Sequence, residues 1–77
     1  MKPLYKLSRH KTLLPLGLNL GCGPIMLKTI DGIHFVNIDH DPQYQEYARK
    51  ESAEFILFNL NIGLPLLEER VEYINMS

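Results

Sequence analysis

The chain has 77 residues, 45% of them hydrophobic and 22% charged, with a formal net charge of −1. That composition belongs to one small globular domain and excludes a disordered or fibrous chain. No apolar run reaches the roughly 18 residues of a membrane-spanning helix. The single cysteine, Cys22, excludes an intramolecular disulfide and a four-cysteine zinc module.

The charge is unevenly spread. Lys2, Lys6, Arg9 and Lys11 give residues 1–17 a charge of +4 with no acid, while residues 18–77 carry four bases and nine acids, a balance of −5. The acidic body argues against nucleic-acid binding by the whole surface. Four charges make a weak footprint for phosphate or anionic lipid, so residues 1–15 read as a basic, solvated arm. The apolar stretch after those charges is short and carries Pro15, which does not fit a secretory signal; the sequence reads as cytoplasmic.

Within the arm, Leu4, Leu7, His10, Leu13 and Leu14 recur at spacings of three and four, which predicts an amphipathic N-terminal helix ended by Pro15. Residues 16–20 form a short apolar run closed by Gly21-Cys22-Gly23-Pro24, the pattern of a buried strand and a tight turn. Residues 25–30 are apolar with one lysine and barely long enough for two helical turns, so no full helix is expected there, and Asp31-Gly32 is a turn signal. A β-branched and aromatic second strand follows over 33–38, ending at Asp39. Asp41-Pro42 starts a helix near 42–53, the acid capping free N–H groups and proline suiting the first helical position. Tyr44 and Tyr47 on that helix read as packing against the sheet. Residues 55–58 make a third strand, 64–69 a connection, and 71–76 a fourth strand. Strands alternating with crossovers predict a mostly parallel four-stranded α/β sheet in the order 3-2-1-4. Its fourth strand, at an edge, would offer a surface for self-association or a protein partner.

Chemistry concentrates at the ends of the first two strands. Glycines around Cys22 let a ligand approach bare backbone, and an acid at the end of the next strand, Asp39, can accept from both hydroxyls of a ribose. A dinucleotide fingerprint would need a third glycine where Met26 stands, which leaves a nicotinamide-binding half-domain as the weakest reading. No Gly-Lys-Ser/Thr loop for a triphosphate is present. Cys22 reads as a small turn residue because no base accompanies it, and His10, His34 and His40 lack metal-ligand spacing.

These residues resemble a family. Leu18-Asn19-Leu20-Gly21-Cys22-Gly23-Pro24 is similar to the first motif of class I S-adenosylmethionine-dependent methyltransferases, within a bacterial group whose domain begins near such a segment. Phe35-Val36-Asn37-Ile38-Asp39-His40-Asp41-Pro42, Phe58-Asn59-Leu60-Asn61-Ile62-Gly63-Leu64-Pro65 and Val71-Glu72-Tyr73-Ile74-Asn75-Met76-Ser77 resemble its later segments, in order. The resemblance covers residues 16–77, the first half of the family's domain. It implies a truncated Rossmann-like fold that binds S-adenosyl-L-methionine: Gly21, Cys22 and Gly23 on the methionine side, Asp39 at the ribose, Asn59 and Leu60 at the adenine, and His40, a surface residue next to Asp39, among the cofactor-binding residues. Asn59 stands where the family usually has aspartate and can still accept a hydrogen bond through its side-chain oxygen. The family's substrate and catalytic half would follow Ser77, so the resemblance names no catalytic residue and no methyl acceptor, and activity from this chain alone is not expected. The competing expectation is a non-enzymatic module that pairs through strand 71–76.

Overall fold

The computed structural model describes residues 4–5, 14–67 and 70–76. The elements are β1 (Leu4–Tyr5), β2 (Leu16–Leu20), β3 (Thr29–Ile30), β4 (Ile33–Asp39), α1 (Gln43–Glu51), β5 (Glu54–Leu57), a 3-10 turn (Leu60–Ile62), β6 (Leu66–Leu67) and β7 (Val71–Met76). They form a mostly parallel five-stranded sheet with one helix, and a separate two-stranded sheet in which β1 runs parallel to β6. Among the described residues no helix is long and apolar enough to cross a membrane.

β4 is the hub of the larger sheet. It pairs in parallel with β2 along Leu16↔His34 to Leu20↔Ile38, and with β5 along Val36↔Glu54 to Asp39↔Leu57. β7 lies parallel on the other side of β2. Its register shifts between Leu16↔Val71 and Gly17↔Tyr73, which bulges Glu72 out of the ladder.

Two expectations about this architecture need correction. The sheet has five strands, and its order departs from the expected four-strand one by an added hairpin strand. β3 folds antiparallel onto the start of β4, pairing Thr29↔His34 and Ile30↔Ile33, and so shares with β5 the edge of β4 away from β2. The turn between them is Asp31-Gly32, both residues at positive φ (51° and 77°). That is the two-residue hairpin turn whose twist matches flanking strands. The second correction is the N-terminal helix. Leu4–Tyr5 is a strand held in register with Leu66–Leu67, so a long-range backbone pairing overrides a short, weak helical pattern. The remainder of the expected helix, over residues 6–13, lies outside the described residues.

Smaller differences concern boundaries. The helix expected near 42–53 spans Gln43–Glu51, and the strand expected at 55–58 spans Glu54–Leu57. Helix formers fill α1, and its start is held by Asp41, whose carboxylate accepts from the Gln43 N–H at 3.1 Å. Its end is set by Ser52 in the left-handed region (φ 55°), with the Ser52 and Ala53 N–H groups closing on Arg49 and Ala48 carbonyls. Lys28 adds its ammonium to the Glu51 carbonyl at 2.9 Å, a cation at the negative end of the helix.

The strands alternate, so the sheet has two unlike faces. On one, Leu16, Leu18, Val36, Ile38 and Ile56 form a buried apolar cluster, with Leu20, Phe58, Leu60 and Val71 packed against it. On the other lie Gly17, Asn19, Phe35 and Asn37, all buried. Gly17 is there because Phe35 occupies the adjacent space: a Cβ at Gly17 would sit 2.7 Å from the Phe35 ring.

Candidate functional site at the carboxyl end of the sheet

The first crossover, from Gly21 to Lys28, contains no helix. Instead it lies across the polar face as a strap, fixed by side-chain amides. Asn19 donates to the Ile25 carbonyl (3.0 Å) and to the Asn37 side-chain oxygen (2.9 Å). Asn37 takes the Leu27 N–H and donates to the Leu27 carbonyl, both at 2.9 Å, and donates again to the Glu54 carbonyl at 2.9 Å. Asn75 completes the row by donating to the Asn19 oxygen at 2.9 Å. Asn19 and Asn37 are fully buried (0% exposed), a burial tolerated because their polar atoms are paired.

The strap leaves the glycine turn at the end of β2. Gly21 and Gly23 adopt positive φ (63° and 56°), which glycine reaches without strain. The Gly21 and Cys22 N–H groups both bond the Ile38 carbonyl, at 2.9 and 3.2 Å. The Gly23 N–H donates to Asp39 Oδ2 at 3.0 Å, and the Asp41 N–H donates to Asp39 Oδ1 at 3.1 Å. Phe58, just past β5, donates to the Asp39 carbonyl at 2.9 Å. Asp39 is only 7% exposed and is the point where the segments after β2, β4 and β5 meet.

The residues singled out in the sequence therefore share one end of the sheet, with unequal prominence. Gly21 is exposed, with nothing within 4 Å of where a Cβ would stand. His40 is exposed beside the acid, its Nδ1 3.4 Å from Asp39 Oδ1. Asn59 caps the 3-10 turn, accepting from the Asn61 N–H at 2.9 Å, while Leu60 packs toward the apolar cluster. Cys22 is 2% exposed, and burial, reinforced by the nearby Asp39 charge, pushes its thiol up to about 11. A thiol held protonated is a poor nucleophile, which fits a turn residue. The Asp41 carboxyl sits below its ordinary range because the Gln43 N–H, and then the Gln43 side chain, donate to it.

The sequence predicts that Tyr44 and Tyr47 pack against the sheet, but Tyr47 is exposed and Tyr44 is only partly covered. Tyr44 lies beside Gly23, 3.9 Å from that residue's Cβ position, and it tilts against Tyr47 with ring centroids 5.8 Å apart. The asparagine row is missed by the sequence analysis. Its signal is the repeat of apolar–Asn–apolar at the ends of three strands, in Leu18-Asn19-Leu20, Val36-Asn37-Ile38 and Ile74-Asn75-Met76.

A cavity of about 460 Å³ lies elsewhere, at the amino ends of β4 and β5 against α1, lined by His34, Ala48, Arg49, Glu54 and Phe55 among others. His34 Nε2 is buried there without a hydrogen bond, 3.7 Å from Glu54 Oε1. The convergence of backbone N–H groups on an acid beside a glycine turn favours the carboxyl end over that cavity, since α/β sheets bind ligands at that end. Among the described residues no group of three or more His, Cys, Asp or Glu side chains is placed to hold a metal ion. Comparison with protein-family models, with curated proteins and with solved structures found no match.

Proposed function

We propose that this chain is the cofactor-binding half of a class I methyltransferase-like domain, holding S-adenosyl-L-methionine at the carboxyl ends of β2, β4 and β5. The observation that carries the reading is the convergence on Asp39, which joins the glycine turn, the end of β4 and the segment after β5. It gives a physical context to the order of segments that the sequence shares with the family.

The residues suit the ligand chemically. The open space over Gly21 admits the methionine portion close to backbone. The Asp39 carboxylate accepts two N–H bonds, and a carboxylate has about four acceptor positions, so acceptor capacity remains for ribose hydroxyls. His40 flanks that position. Asn59 is exposed, and its side-chain oxygen has a second lone pair for the adenine amino group beside the bond from Asn61. When bound, the cofactor supplies an electrophilic methyl group. This half of the domain contributes binding and orientation, and no residue here is assigned as a catalytic base.

Titration of the 15N-labelled chain with S-adenosylmethionine tests the reading. Saturable shifts at the Gly21, Gly23, Asp39 and Leu60 amides are expected. A spectrum unmoved at millimolar ligand would refute it.

A second reading rests on β7, which pairs only with β2 among the described residues. Tyr73, Ile74 and Met76 are 49%, 55% and 79% exposed on it. An uncovered apolar edge strand pairs readily with another chain, so β7 serves in this reading as a self-association or partner surface. Sedimentation velocity decides: a mass that rises with concentration supports the edge reading, and a strict monomer at high concentration removes self-association.

A further inference from the structure

We propose that Asn37, acting with Asn19, is the positioning residue that keeps the ligand-facing turn Gly21–Gly23 preformed. The proposal rests on the cofactor reading above and identifies what supports that site.

In a crossover without a helix, the backbone groups of the connection have no helical partners and must find others. Here side-chain amides supply them. Asn37 engages both the N–H and the carbonyl of Leu27, as a neighbouring strand would, and Asn19 takes the Ile25 carbonyl. Ile25 in turn donates its N–H to the Cys22 carbonyl at 3.0 Å, which links the clamped strap directly to the turn. On its other side the turn is tied to Ile38 and Asp39. The turn is thus held at both ends, and only the clamp on the strap side depends on buried side chains that lie away from the proposed ligand. Asn37 uses all four of its hydrogen-bonding positions in doing so. A residue whose full capacity is spent on a loop and a neighbouring strand has none left for ligand, so its effect on binding is indirect.

The test is Asn37→Asp, which preserves shape but removes both donor bonds, to Leu27 and to Glu54. Three quantities are read: the unfolding midpoint, amide order parameters and exchange over Gly21–Leu27, and affinity for S-adenosylmethionine. The expected result is a folded protein with faster exchange and lower order confined to the strap and turn, and affinity at least 10-fold weaker. Unchanged order at Gly21 and Gly23 would overturn the proposal. So would an affinity loss fully explained by the unfolded fraction. The order measurement needs no ligand, so it separates this proposal from the cofactor reading, which fails instead if the wild-type chain does not bind. Should Asn37→Asp not fold, the wild-type chain still decides: the proposal requires Gly21 and Gly23 to be as ordered as β2 without ligand, and a mobile free turn refutes it.

Discussion

Asp39 is the residue whose replacement is most informative. Its carboxylate accepts the Gly23 N–H at 3.0 Å and the Asp41 N–H at 3.1 Å. In Asp39→Ala both donors lose their acceptor. An unsatisfied backbone donor costs about 1–3 kcal/mol when buried. Gly23 and Asp41 are half-buried, so water reaches them in part and the low end applies, about 2–3 kcal/mol for the pair. Asp39→Asn keeps one carbonyl oxygen and sets an amide against the other N–H, so about half that loss is expected. Small domains have urea m-values at the low end of about 1–3 kcal/mol per molar. The midpoint should therefore fall by about 2 M for alanine and about 1 M for asparagine, followed by far-ultraviolet circular dichroism because the chain has no tryptophan. Ligand affinity measured on the folded fraction should fall further in both variants. A midpoint shift below about 0.5 M in both would show that Asp39 does not tie the segments together.

Three other outcomes follow from the packing and the backbone. Gly17→Ala places a methyl 2.7 Å from Phe35 Cε1 and 3.0 Å from Ile33 Cγ2, and should destabilise by about 1–3 kcal/mol; a double-mutant cycle with Phe35→Leu should recover part of it, and full additivity would dismiss the clash. Ser52→Gly relieves a non-glycine residue at φ 55° and should raise the urea midpoint, by up to about 1 kcal/mol in stability, whereas a loss would mean that the serine side chain matters more than the backbone. The Cys22 thiol is raised from 9.0 to about 11 in the fold, so folding favours its protonated form. That contribution is complete below pH 9 and disappears as pH rises through about 11, amounting to about 2–3 kcal/mol at most. Stability curves of wild type and Cys22→Ala should converge over that window, and parallel curves would remove the linkage; alkylation by iodoacetamide at pH 8 should also be at least about 10-fold slower than for a free thiol.

The four parallel strands of the larger sheet, β2, β4, β5 and β7, were legible as short runs rich in apolar and β-branched residues, with Pro15 and Gly21 bounding β2 and Gly32 opening β4. The helix over Gln43–Glu51 was legible from Asp41-Pro42 and the helix formers after it. What the sequence concealed depends on distant partners. Thr29–Ile30 is too short to announce a strand, although the Asp31-Gly32 turn beside it was visible. Leu4–Tyr5 looked helical because its partner, Leu66–Leu67, lies some sixty residues on. At the site, the glycine turn and the acid stood out as residue types. The strap did not, because Asn19, Asn37 and Asn75 gain their meaning only when three strands align them.

The asparagine row also bears on how the sheet chooses its alignment. With Glu72 bulged out, Val71, Ile74 and Met76 lie on the cluster face of β7, so a slide of two residues against β2 that carried the bulge along would keep each of them on that face. Such a slide would set Tyr73 opposite Asn19 in place of Asn75. The buried Asn19 oxygen would then lose the amide that donates to it, at about 1–3 kcal/mol. Apolar contact says which face of the strand turns inward; the amides say which residue stands beside which. The three asparagines thus act as a key that admits one alignment of the sheet among several of nearly equal hydrophobic merit.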